Sequence, residues 1–210
     1  MTPRPLTAKG QSTKARILSA CGALIVSRGL AATTLDDVCA ATGTSKSQLF
    51  HYFPGGKDEL LQSLAQREAD SAMDRMRARI PSLSTCEGWS QWRDQLLGEY
   101  DLDRNDCPSG LLLIDLGRAG SGARAVIAEF TEQLQRVVES GIESLQANGS
   151  VRADLDARRS AAALVAGIHG ANALLLATGS TTYLAAAFNT AIENLRAGPS
   201  RMADTPIDFG

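Results

Sequence analysis

The chain has 210 residues, 44% of them hydrophobic, and a formal net charge of −2. The charge is uneven: residues 1–57 hold seven cations against Asp36 and Asp37, a balance of +5, and residues 58–210 hold 14 arginines against 21 acids, a balance of −7. No apolar run approaches the roughly 20 residues of a bilayer span, and MTPRPLTAKGQSTK lacks the apolar centre of a signal peptide, so a soluble, cytoplasmic protein with a polyanion-binding head on an acidic body is expected.

Residues 1–11, with two prolines and a glycine, read as a disordered arm, and residues 198–210 as a disordered tail. Between them proline is scarce, alanine and leucine are frequent and alternating β-branched runs are absent, so the fold class is all-α. A first helix is predicted over 13–28: Ile17, Leu18, Cys21, Leu24 and Ile25 share one helical face, and Gly29 can close it. A second begins at Thr34, whose side chain can cap the amides near Asp37, with Leu35 and Val38 turned inward. Gly43 supplies a sharp turn. A third begins at Ser45, where Ser45-x-x-Gln48 fits a capping box, and ends before Pro54.

The third helix carries the functional signal. With about 100° per residue, Ser47, Gln48, His51 and Tyr52 fall on one arc, and Leu49 and Phe53 fall together on the opposite side. One side packs and the other offers hydrogen-bonding groups. Two short helices joined by a glycine turn, the second with such a face, make a helix-turn-helix whose second helix fits the major groove of DNA.

A fourth helix is predicted from Gly56 to Ile80, with Leu60, Leu61, Leu64 and Ala65 inward, and further helices over 86–100, 108–118, 121–148, 155–178 and 181–197. The most apolar stretch, 161–177, is broken by Gly167, His169, Gly170 and Asn172. The last two helices are rich in Ala and Gly, which let helices approach closely, so a homodimer interface is expected there. Trp89, Trp92, Tyr100, Leu111, Leu112, Phe130, His169 and Asn172 combine apolar surface with a few polar groups, as residues lining a ligand pocket do. The same pattern also fits plain core.

Cys21, Cys39, Cys86 and Cys107 lie far apart with no CxxC pair, which suits neither a zinc site nor a disulfide scaffold. They read as small apolar residues, with a redox role open for Cys107. Asp101, Asp103 and Asp106 lack the spacing and glycine of a calcium loop. HExxH, P-loop and dinucleotide fingerprints are absent, and no metal or cofactor is implied.

TTLDDVCAATGTSKSQLFHYFPGGKDELL, with its Thr-capped second helix, Ala-x-Gly-x-Ser turn, Lys46, aromatic run 50–53 and Lys57, resembles the DNA-binding segment of the TetR (tetracycline-repressor-like) family over about residues 12–61. The resemblance implies a helix-turn-helix domain over 12–56 and a helical ligand-binding and dimerisation domain over 57–197. It also implies a double-stranded DNA operator, a small-molecule effector, and DNA contacts from Thr34, Ser45, Lys46, Ser47, Gln48, His51, Tyr52 and Lys57. The chain departs from the family pattern at Phe50, where many members have Tyr, and in Pro54-Gly55-Gly56, one residue longer than the commonest linker and similar to the lincomycin-resistance repressor group. The expectation is a dimeric repressor released by a small apolar molecule. An all-helical enzyme with a pocket in the bundle, and a regulator that answers a partner protein, are the alternatives.

Overall fold

A computed structural model describes residues 7–99 and 109–196; the side chains of residue 99 and of residues 109–111 lie outside the described set. The described residues form nine α-helices, one 3-10 turn and no strand: α1 (Ala8–Arg28), α2 (Leu35–Thr42), α3 (Lys46–Tyr52), α4 (Gly56–Arg79), the 3-10 turn Ile80–Ser84, α5 (Cys86–Glu99), α6 (Ser109–Leu116), α7 (Ser121–Ala147), α8 (Ala157–Thr178) and α9 (Thr182–Arg196).

Local rules account for most boundaries. Thr34 Oγ1 accepts from the Asp37 amide at 3.2 Å while the Asp37 carboxylate accepts from the Thr34 amide at 2.9 Å, a reciprocal capping box. Gly43 closes α2 in the left-handed conformation at φ 62°, where a side chain would be strained. Ser45 caps α3 through the Gln48 amide at 3.1 Å. Asp156 and Gly179 bracket α8 in the same way.

Several boundaries differ from the sequence reading by one to five residues, three of them as follows. Helix α1 begins at Ala8, inside the arm expected to run to residue 11, because Thr7 Oγ1 caps the Gly10 amide at 3.2 Å. Helix α4 stops at Arg79 and passes into a 3-10 turn that buries Leu83, because Pro81 has no amide hydrogen to donate. Helix α6 ends at Leu116, two residues early.

The head comprises α1–α3. Ile17, Leu18, Cys21 and Ile25 of α1, Val38 of α2, and Leu49 and Phe53 from the third helical segment form its core, all at most 6% exposed. Removing Leu49 down to Ala would cost about 2–5 kcal/mol, a large share of the stability of a small head. Helix α4 leaves the head and packs along α7, the most extensive helix contact of the body. At about 1.5 Å per residue its 24 residues span roughly 36 Å.

The sequence reading found no stretch near membrane-span length, yet α8 has 22 residues and holds an 18-residue window with a mean hydropathy of 1.6, enough on length and composition. The interrupting glycines, His169 and Asn172 do not lower its mean hydropathy far enough. In the fold α8 packs on α6, α7 and α9, burying Leu164, Val165, Ile168 and Leu175.

Candidate nucleic-acid interface

Helix α3 divides cleanly. Leu49 and Phe53 are fully buried, and Lys14 Nζ from α1 sits 5.3 Å from the centre of the Phe53 ring. On the outer side Ser47, Gln48 and His51 are exposed and Tyr52 is half-buried. Their side chains make no hydrogen bond to the described residues; His51 and Tyr52 meet only edge-to-face, with ring centres 5.2 Å apart. Ser47 and Gln48 therefore retain their donors and acceptors.

The remaining residues flagged in the sequence are already engaged. Thr34 and Ser45 spend their hydroxyls on caps. Lys46 Nζ pairs with the Asp36 carboxylate at 2.8 Å, both side chains being more than 60% exposed. The hydrogen bond and charge of Asp36 raise the pKa of Lys46 and so hold it charged. Sequence reading missed this partner because the two residues lie ten positions apart on different helices. An exposed pair contributes little to stability, so Lys46 can exchange Asp36 for a phosphate at small cost.

Lys57 is placed differently. Its ammonium is turned into the head, donating to the carbonyl oxygens of Thr33 at 2.6 Å and Leu30 at 3.4 Å. It ties the first turn of α4 to the α1–α2 loop. Phe50 is 43% exposed on α3. Its ring covers Gly56, whose φ of 67° lets the chain turn into α4.

Further bonds tie α1 to α2 and α4. Arg28 pairs with Asp37 at 2.7 Å, joining α1 to α2. Arg16 donates to the carbonyl of Thr42 beside the turn. Arg67 of α4 donates to Ser19 Oγ of α1 at 3.0 Å. The hydrogen bonds from Thr34, then the Arg28 guanidinium, hold the Asp37 carboxyl down at about 2 against an opposing push from desolvation. Burial pushes the Cys21 thiol up to about 11, and that of Cys39 upward as well, so neither supplies a reactive thiolate at neutral pH. No group of three metal-ligating side chains occurs among the described residues.

The residues flagged for a ligand pocket do not gather in one described cleft. Trp89 and Trp92 are buried, and Trp92 stands edge-on to Phe188 of α9 with ring centres 4.9 Å apart. The Trp89 indole donates to the Leu83 carbonyl at 2.7 Å, which makes it a satisfied core residue. Leu112 is buried where α6 meets the head, beside Gly22 of α1. Phe130 lines a cleft of about 20 Å³ between α4 and α7. His169 and Asn172 lie on α8. Tyr100, Cys107, Asp101, Asp103 and Asp106 fall outside the described residues, as does the Leu111 side chain. A cleft of about 690 Å³ opens where head meets body, with Leu30, Lys57, Asp58, Asp115 and Arg118 among its lining; of the flagged residues only Lys57 reaches it.

Known proteins share this arrangement. Residues 17–64 match the family model for bacterial regulatory proteins of the TetR family, and residues 83–191 match that for the tetracyclin repressor-like C-terminal domain. An uncharacterised HTH-type transcriptional regulator of Mycobacterium tuberculosis is 28% identical over 113 residues, 51% of this chain and 55% of that protein, so the match spans about half the length of that relative. An uncharacterised HTH-type regulator from the lacX 3' region of Lactococcus lactis is 24% identical over 186 residues, 85% of this chain and 91% of that protein. Among solved structures, a TetR-family transcriptional regulator from Agrobacterium tumefaciens has a TM-score of 0.76 at 20% identity, covering 90% of this chain and all of that one. The reduced form of E. coli NemR has a TM-score of 0.74 at 18% identity, with the same coverage. At these identities the structures establish the shared fold.

Proposed function

The chain belongs to the TetR family of bacterial regulatory proteins, a DNA-binding transcriptional regulator rather than an enzyme, and from that premise we propose that it is a repressor. It binds a pseudo-palindromic operator as a homodimer in the cytoplasm and is released by a small, largely apolar effector. The observation that carries the DNA reading is the two-sided α3: Leu49 and Phe53 are fully buried while Ser47, Gln48 and His51 stand free on the other face. Ser47 and Gln48 read base edges, Lys46 takes a phosphate, and His51 and Tyr52 contact the backbone or bases beside them.

Helix α8 supports the dimer. From Ser160 to Thr178 it holds no Asp, Glu, Lys or Arg, and Ala162, Ala163, Ala166, Gly170, Ala173 and Leu174 form an exposed stripe. Leu176 and Tyr183 beside it are 54% and 45% exposed. A contiguous apolar face of this kind marks an association surface, and two copies joined there would present two α3 helices to successive major grooves.

The body reaches the head through α4 and α6. Helix α6 packs on α1, α4 and α8, and Leu112 lies against Gly22 and near Leu64. An effector that binds one arrangement of these helices better shifts the spacing of the two heads by population. Selection of bound sites from random DNA with the purified protein tests the reading. An inverted repeat is expected, with half-site centres about one helical turn, 34–36 Å, or a multiple of it apart. Recovery of unrelated sequences, or binding that does not weaken with salt, would sink it.

A further inference from the structure

Where the head meets the body, a cleft of about 690 Å³ opens between the end of α1, the first turn of α4 and the end of α6, a volume in the range of small-molecule sites. Leu30, Leu61 and Ala119 give it apolar walls, and five charged side chains also line it. Two of the five are spent. Arg28 pairs with Asp37 at 2.7 Å, and Lys57 donates to the carbonyl oxygens of Leu30 and Thr33. The other three, Asp58, Asp115 and Arg118, have no ion pair or side-chain hydrogen bond among the described residues.

The end of α6 keeps these charges apart. Asp74 and Arg77, three residues apart within α4, pair at 2.9 Å. Asp115 and Arg118 have the same spacing, but α6 ends at Leu116 and the chain turns there, the Arg118 amide donating to the Asp115 carbonyl at 3.1 Å. Asp115 is half-buried in the last turn of α6, where the helix end is itself negative and no basic residue of that turn offsets it. Asp58 comes from α4, and its Oδ1 lies beside Gly120, two residues past Arg118. Two unanswered carboxylates and one unanswered guanidinium therefore share a cleft with apolar walls.

We infer that this cleft is a regulatory site for a small zwitterion, an amino carboxylate with an apolar side group. Its ammonium meets Asp115 and Asp58, its carboxylate meets Arg118, and its side group lies on Leu30 and Leu61. A wholly apolar ligand would cover three charges without answering any, a simple acid would meet two carboxylates, and a simple amine would leave the guanidinium unpaired. Bound there, the zwitterion touches the α1–α2 loop of the head and the end of α6 in the body at once, so its occupancy is coupled to DNA binding. This goes beyond the repressor reading, because the site is argued from its own lining.

The test is calorimetric titration of the full chain with L-leucine, L-phenylalanine and leucyl-leucine, each beside its N-acetyl and its C-amide form. At least one zwitterion should bind, and both of its blocked forms should bind at least tenfold more weakly. Asp115→Asn should abolish the preference over the N-acetyl form, and Arg118→Gln the preference over the amide. Both variants should keep the wild-type melting temperature, since neither group has a partner in the fold. Overturning results are no binding by any of the three zwitterions at millimolar concentration, equal binding by the blocked forms, preferences that survive both substitutions, or a clear fall in melting temperature. Operator affinity is then measured with and without the bound zwitterion. It should change at least fivefold, and equal values overturn the regulatory role. Absence of operator binding under every condition, with the cleft titrating as expected, counts against the repressor reading and not against the site.

Discussion

Lys57 Nζ donates to the carbonyl oxygen of Thr33 at 2.6 Å, so the first turn of the connecting helix is fastened to the loop before α2. Lys57 and Thr33 stand 24 residues apart, and Thr33 is itself buried and fixed by its hydroxyl on the Gly29 carbonyl at 2.9 Å. A charge-assisted bond of this kind contributes about 1.5–3 kcal/mol. Lys57→Met should therefore lower the melting temperature by several degrees while leaving the slope of log K against log salt for DNA unchanged. A slope reduced by about one contact, with stability intact, would return Lys57 to the phosphate-binding set.

The Lys46–Asp36 pair makes two opposite predictions. Lys46→Ala should weaken binding to specific and random DNA alike and flatten the salt slope by about 0.9, the value for one phosphate. Asp36→Asn frees the ammonium and removes a negative charge from the DNA side, so affinity should rise several-fold with the salt slope kept. Titration by fluorescence anisotropy at four salt concentrations reads both. Unchanged affinity in either variant contradicts the exchange of Asp36 for phosphate.

Gln48 stands free on the outer face of α3, held by backbone geometry through the Ser45 cap. Gln48→Ala should cost about 1–3 kcal/mol on the preferred operator and relax preference at one or two base pairs per half-site. A binding profile over all single-base variants of the selected site measures this. If the profile keeps its shape, base reading lies elsewhere on α3.

The Asp37 carboxyl, held at about 2 by Thr34 and Arg28, makes the head sensitive to acid. Its folded-state pKa is depressed below the ordinary 3.8, so its contribution is complete above that value and is lost as pH falls from about 4 towards 2. Thr34→Val removes the leading cause and should bring the Asp37 titration midpoint, followed by NMR, back towards 3.8. The variant should also unfold at higher pH than wild type. A midpoint that does not move would assign the depression to Arg28 instead.

What the sequence determined by itself is local. Thr34, Gly43 and Ser45 mark the helix ends because caps and a left-handed turn are chosen within three or four residues, and Leu49 and Phe53 face inward because helical period fixes their side. The all-α class and the position of the helix-turn-helix follow from the same short-range rules. Three matters were decided only when distant segments met. Lys57 found the Thr33 carbonyl, because folding brought the α1–α2 loop, 24 positions away, beside the first turn of α4. Trp92 became a core residue because α9 carries Phe188 to its ring edge, 96 positions away. Asn172 became an acceptor without a donor among the described residues, since whether a buried amide is satisfied depends on every helix packed around it, and helical spacing along α8 alone holds no record of those neighbours.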